Sequence, residues 1–170
     1  DDAINPGATE VCDGGIDNNC DTQVDDADND LDPTTTTVFY QDNDNDGFGS
    51  SVTQNACEPP LGYVIYPGDC NDAVSSINPN GTEICDNLDQ DEDCDGSTED
   101  ADSSVDYQAS GITYYRDADN DNFGNLLDTT LACAVPAGYV ENSTDCNDSD
   151  GAINPGATEV CDGGIDNNCD

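Results

Sequence analysis

The run Asp42-Asn43-Asp44-Asn45-Asp46-Gly47-Phe48-Gly49 sets carboxylates at the first, third and fifth positions of a turn, with glycine at the sixth. Short acidic side chains at alternating positions aim their oxygens at one point, the glycine permits the sharp turn, and the seventh residue can add its backbone carbonyl. That is the geometry of a calcium loop. A second copy sets Asp117, Asp119 and Asp121 in the same way, with Asn122 in the glycine's place. Asparagine suits the position because it enters the left-handed region more readily than other residues with a side chain. Counting on to the twelfth position, where an EF-hand carries glutamate, reaches Asp128 in the second copy but Thr53 in the first. A closing ligand from elsewhere in the chain is therefore expected.

A second class of candidate site surrounds paired cysteines. Asp17, Asn19 and Asp21 alternate and are followed by Asp25 and Asp26; Asp91, Asp93 and Asp95 alternate and are followed by Glu99 and Asp100. Matched oxygen-bearing side chains in two diverged copies suit a hard cation that takes about six to eight oxygens. A third copy, Asp166, Asn168 and Asp170, would draw its remaining ligands from a neighbouring repeat or chain. A further cluster joins Asp69, Asn71 and Asp72 with Glu83, and Asp145, Asn147 and Asp148 with Glu159 at the same interval, Glu10 being the leftover equivalent. The plainer reading of that cluster is an Asx turn or helix cap around Asn71 and Asn147. Asp26, Asp28, Asp30 and Asp32 alternate as well, as an extra site or a solvated linker.

The elements that must hold these loops read as strands. Val38 to Tyr40 and Ile112 to Tyr115 are β-branched and aromatic runs directly before the two loops, and 63–66 and 138–140 are similar. The loops thus join extended segments and are not EF-hands. No amphipathic helix of useful length appears, and proline breaks up the remaining chain.

The sequence repeats. Residues 1–21 reappear as 150–170 with one change, Asp2 against Gly151, which gives a period of 149 residues. Within it lies a half-repeat of 73 to 76 residues, seen in Ile4-Asn5-Pro6, Ile77-Asn78-Pro79 and Ile153-Asn154-Pro155. The expected organisation is an opening segment 1–21 that ends a preceding repeat, a module at 22–95 and a module at 96–170. A slice of a tandem array repeats its ends in this way.

Composition agrees with a cation-dependent fold. There are 40 acidic residues against one basic residue, Arg116, and no histidine, for a formal charge of -39 over 170 residues. Self-repulsion on that scale holds a chain open unless cations neutralise it. The sign of the charge argues against nucleic acid and anionic membranes as partners, and insertion into a membrane is not expected. Scattered surface acidity is the competing explanation. It does not account for the excess of 33 Asp over 7 Glu, nor for their alternation beside Gly and Asn.

Ten cysteines at repeating spacings indicate an extracellular, disulfide-stapled chain. Local pairing is the simplest scheme that treats every module alike: Cys12 with Cys20, Cys57 with Cys70, Cys85 with Cys94, Cys133 with Cys146, and Cys161 with Cys169. Joining Cys20 to Cys57 and so on is the alternative. Without His or Cys-x-x-Cys, zinc is a poor fit. The expected fold is a set of small all-β/irregular repeat modules stabilised by disulfides and calcium, stacked end to end as an elongated rod.

The series Tyr-x-Asp-x-Asp-x-Asp, Cys, Pro-x-Gly-Tyr-Val, Asp-Cys-Asn-Asp, Ile-Asn-Pro and Asn-Asn-Cys-Asp resembles the MopE-like metal-binding repeats of bacterial surface and secreted proteins. The resemblance covers nearly the whole chain and implies an extracellular, calcium-type repeat module. The copper chemistry in the family's name lacks its usual ligands here, because His and Met are absent. A looser similarity to thrombospondin type 3 repeats rests on the Asp-x-Asp-x-Asp-Gly loop and Cys alone.

Catalysis has no histidine or lysine base and no nucleophile with a positioned partner. The expected function is structural and not enzymatic: a segment of an extracellular filament, with several calcium ions per chain and neighbouring copies of the repeat as partners. The alternative is a calcium-rigidified stalk or spacer of a cell-surface adhesin. A soluble calcium buffer is a third class.

Overall fold

The computed structural model describes residues 3–86, 88–161 and 163–170. The chain divides into two compact units, Asp1–Gly81 with Glu92–Asp95, and Thr82–Asp91 with Gly96–Asp170. Each is a small disulfide-stabilised β and irregular fold. Among the described residues no helix is long and apolar enough to cross a membrane.

In the first unit, β1 (Thr37–Gln41) lies between β2 (Thr53–Ala56) and β3 (Tyr63–Val64), both antiparallel to it. In the second, β4 (Ile112–Arg116) lies between β5 (Asn125–Ala132) and β6 (Tyr139–Val140) in the same order. The β-branched and aromatic runs before the calcium-type loops form the central strands, as their composition predicts. β2 and β5 escape that reasoning. Thr-Gln-Asn-Ala has no apolar alternation, and β5 leaves Leu126 and Leu127 exposed, so pairing with β1 and β4 makes them strands.

Little apolar material is buried. Phe39 at the centre of β1 and Tyr114 at the centre of β4 are 4% and 2% exposed, beside Ala56 and Ile77 in the first unit and Val105 and Ala132 in the second. The largest side chains that are fully buried are Glu10 and Glu83. Their carboxylates replace a core with hydrogen bonds: Glu10 accepts the Asn18 N–H at 2.8 Å and the Asp25 N–H at 3.2 Å, and Glu83 accepts the Glu99 N–H at 2.9 Å. Buried carboxylates are tolerated where backbone donors satisfy them.

The disulfides overturn the local pairing scheme and its alternative. Cys12 joins Cys57, Cys70 joins Cys94, Cys85 joins Cys133 and Cys146 joins Cys169, while Cys20 and Cys161 are free and exposed. The reason is a long-range docking scheme that sequence spacing does not reveal. Asp32 N–H bonds the Glu10 carbonyl, and the Asp26 carboxylate accepts the N–H groups of Cys57 and Glu58, which carries Cys57 to Cys12. In the second unit Asp106 N–H bonds the Glu83 carbonyl, and Asp100 accepts from Cys133 and Ala134. The bridged residues are 45, 24, 48 and 23 apart. Each closure constrains the unfolded chain by roughly 3–4 kcal/mol in the chain-entropy account, against about 2.6 for a local pair. Peptide mapping without reduction should recover these four pairs, and a Cys12–Cys20 peptide would contradict the arrangement.

Candidate metal centre

β1 ends at Gln41 and runs directly into the loop that begins at Asp42. Asp42 closes the loop, accepting the N–H of Asn45 at 2.7 Å and of Gly47 at 3.2 Å. Asn45 and Gly47 take φ of 65° and 95°, the left-handed conformation that the alternating pattern requires. In the second unit Asp117 accepts from Asp121 and Asn122, both at 3.1 Å, and Asn122 takes φ 75° where the first loop has glycine. Oxygens of Asp42, Asp44 and Asp46 lie within 4.8 Å of one another.

A further carboxylate reaches the loop from the chain that follows β3. Gly49 N–H bonds the Tyr66 carbonyl at 2.8 Å, and the Gly49 carbonyl accepts the N–H of Asp69 at 3.2 Å, so the chain leaving β3 is held beside the loop. No side chain fits at position 49, since a Cβ would stand 2.5 Å from that of Tyr40. Gly124 repeats the arrangement, its carbonyl accepting Asp145 N–H at 3.2 Å. Asp72 then clamps the loop from outside, accepting the Asn43 N–H and side-chain amide, both at 2.6 Å. Asp148 does the same for Ala118 N–H at 2.7 Å.

The two sequence clusters around 42–46 and 69–72 are therefore one site, and 117–121 and 145–148 form its counterpart. Asp69 makes an Asx turn with Asn71 N–H through one oxygen, and Asp145 does so with Asn147 N–H. The turn reading and the metal reading of these residues both hold, because the other carboxylate oxygen remains. Both oxygens of Asp44 and of Asp119, and one each of Asp46, Asp69, Asp121 and Asp145, are shielded from solvent with no hydrogen-bond partner. Buried carboxylate oxygens without donors are costly unless a cation completes them.

Electrostatics report the same crowding. Burial, then the neighbouring carboxylates, raises the Asp44 and Asp119 carboxyls above the ordinary aspartate value. Asp69 and Asp145 are raised likewise, burial and the surrounding aspartates outweighing the Asn71 and Asn147 N–H donors. A raised folded-state pKa means that the ion-free fold binds more protons than the unfolded chain. Its stability then falls as pH rises from 3.8 through the raised values. A cation requires the ionised form, so its affinity rises across the same window. Melting the chelated chain as pH rises above 3.8 through the raised values should show a falling midpoint, and melting it with saturating calcium a rising one.

Other expected ligands have different places. Asp128 is exposed on β5, away from the turn that Asp117 closes. Glu83 is buried and accepts the Glu99 N–H; Glu159 accepts the Asn167 N–H at 2.9 Å and is exposed. Asp25 and Glu99 accept the N–H groups of Asp13 and Asp86. Asp26 and Asp100 are spent on the N–H groups beside Cys57 and Cys133. Burial opposes ionisation at Asp100, but those donors and the Tyr107 hydroxyl hold its carboxyl below the usual range.

The cysteine-flanked loops keep the same turn. Asp17 accepts the N–H of Asp21 and Thr22, Asp91 that of Gly96, and Asp166 that of Asp170. In the first of them Asn19 bonds Asp28, and Asp21 faces Gln23, which leaves fewer oxygens for an ion. Asp28 was legible only as part of an alternating run and proves to be buried. In the run 91–95, Asp91 belongs to the second unit and Asp93 and Asp95 to the first, where Asp95 N–H bonds Asp93 at 3.2 Å. The Asn168 side-chain oxygen is buried without a partner.

Residues 1–26, 69–100 and 145–170 match the model of the copper-binding MopE family, described as a putative metal-binding motif. The chain thus carries three segments similar to that motif. They include Asp69 and Asp145 but not the loops at 42–46 and 117–121. No curated protein and no solved structure matches the chain. The donor set of the two loop sites is carboxylate oxygen, whereas copper favours nitrogen and sulfur ligands, and Cys70 and Cys146 beside the sites are in disulfides.

Proposed function

We propose that this chain is a structural segment of an extracellular filament, built of tandem repeats that calcium ions and disulfides hold rigid. The observation that carries the reading is the pair of equivalent carboxylate sites, one per unit, each with oxygens buried and unpartnered. A hard divalent cation with oxygen preference and flexible coordination fits them, and calcium fits better than magnesium, which keeps most of its own water. Asp42, Asp44, Asp46 and Asp69 would hold one ion, and Asp117, Asp119, Asp121 and Asp145 the other. The ion supplies charge neutralisation and cross-links the loop to the segment after β3, a structural role in which no reacting group takes part.

Disulfides support an oxidising, extracellular setting. Repetition supports stacking, since the 149-residue period leaves no flexible Gly/Ser linker between repeats. Electron microscopy of assembled material should show long thin filaments with an axial period of one 149-residue unit or its half. Discrete flexible monomers at every calcium and protein concentration would replace the filament by a soluble calcium buffer.

A further inference from the structure

With 40 acidic residues, the chain has few faces on which one copy can approach another, and two stretches stand out by having almost no acid. Glu58 is the one acidic residue from Gly47 to Gly68, and Asp128 the one from Asn122 to Val140. The first stretch borders an open groove of about 570 Å³, lined by Phe39 of β1, by Pro59, and by Tyr63, Ile65 and Tyr66 in and after β3. Ile65 and Tyr66 are exposed, and Glu58 is the one charged residue of the lining. Where the first unit has Ile65 and Tyr66 after β3, the second has Glu141 and Asn142 after β6. The second unit exposes apolar side chains elsewhere. Its stretch from Gly124 to Thr129 is one residue longer than that from Gly49 to Thr53, and the pairing of β4 with β5 shifts register there. Leu126 and Leu127 stand 60% and 91% exposed in that shift. Arg116 pairs with Asn125 beside them. It is the chain's one basic residue, its guanidinium lies 5.7 Å from the centre of the Tyr139 ring, and among the described residues it makes no ion pair.

We propose that Leu126 and Leu127 of one copy of this chain dock into the groove at Phe39, Tyr63 and Tyr66 of a second copy, with Arg116 of the first facing Glu58 of the second. Charge complementarity selects the occupant: the groove is apolar with a carboxylate on its lining, and the leucines are apolar with the chain's one guanidinium beside them. Exposed apolar surface of this kind marks a contact site. Burial of the leucines supplies the attraction, and the Arg116–Glu58 pair sets which way the two copies face. Two chains of like charge approach only where their repulsion is screened, so the contact requires bound calcium or salt. The groove lies on one unit and the leucines on the other, so the contact is heterologous and can propagate from copy to copy. Neither end of the chain takes part. The inference goes beyond the filament reading, in which repeats follow one another along the chain.

The test is a pair of charge reversals in the full chain at saturating calcium, Glu58→Arg and Arg116→Glu, followed by sedimentation velocity over a concentration series. Wild type should associate as its concentration rises. Each variant alone sets like charges across the contact and should associate at least about tenfold more weakly. An equimolar mixture of the two should regain the wild-type association, because the unchanged Arg116 of one meets the unchanged Glu58 of the other and the two reversed charges also meet as opposites. A chain with Leu126→Ser and Leu127→Ser changes two exposed side chains, should keep the wild-type circular dichroism and should associate weakly. Variants that associate as wild type does, variants that stay apart on mixing, or a wild type that is monomeric at every concentration overturn the proposal. Filaments formed by wild type and both variants alike, without rescue on mixing, would sink this contact and spare the filament reading. Rescue on mixing without filaments would spare the contact and sink that reading.

Discussion

Stripping calcium from the oxidised chain is expected to cost both units their protease resistance and much of their β-sheet signal, although all four disulfides stay closed. The expectation follows from what replaces the core. Four aspartates gather at each site, three of them with a buried oxygen that has no hydrogen-bond donor, and the apolar residues that could oppose their repulsion are few. Two unit charges about 4 Å apart repel by roughly 4 kcal/mol at an effective dielectric near 20, comparable to the whole margin of a small domain. Cleavage should begin in the loops at 42–48 and 117–123, where the ion is the only inward partner, and restoring calcium should reverse it. Circular dichroism and limited proteolysis with and without chelator check this. Unchanged spectra and digestion in oxidised and reduced samples alike would remove the ion from the account.

The second large effect concerns Asp69, the ligand that the loop alone does not supply. Asp69→Asn keeps the size and the Asx turn to Asn71 but removes a charge from the ion. Loss of a partner outside the ligand shell already costs metal affinity about 10–100-fold, and loss of a ligand should cost at least as much. Calorimetry should show one weakened site and one unchanged site, because Asp145 serves the second unit separately. The same substitution relieves repulsion with Asp44 and Asp46, so the chelated variant should melt higher than the chelated wild type. Opposite signs with and without calcium are the mark of a ligand. A merely structural Asp69 would lower the melting point in both conditions.

Much of this was legible in the residues. The loops at 42–48 and 117–123 follow from alternation and from the left-handed positions of Gly47 and Asn122, both local properties. β1 and β4 follow from their β-branched and aromatic content. The disulfides did not follow, because equal spacing of cysteines is satisfied by any scheme that repeats, and the choice depends on the hydrogen bonds of Asp26 and Asp100 some 31 to 34 residues away. The fusion of the Asp42 and Asp69 clusters was hidden for a similar reason: the close approach of Gly49 to Tyr40 and the Gly49 carbonyl bring them together. Glu10 and Glu83 carried the right composition for ligands, and the structure adds that both are buried against backbone donors. Spacing names the oxygens that can meet an ion, and long-range packing decides which of them do.

The central claim is two equivalent calcium sites built of aspartate oxygens. A crystal structure of the calcium-loaded chain, with anomalous data to identify the element, tests it most directly. The account predicts one ion in each unit, at roughly 2.3–2.6 Å from oxygens of Asp42, Asp44, Asp46 and Asp69, and of Asp117, Asp119, Asp121 and Asp145. Ions held by other residues, or loops that keep their form with no ion in saturating calcium, would contradict it.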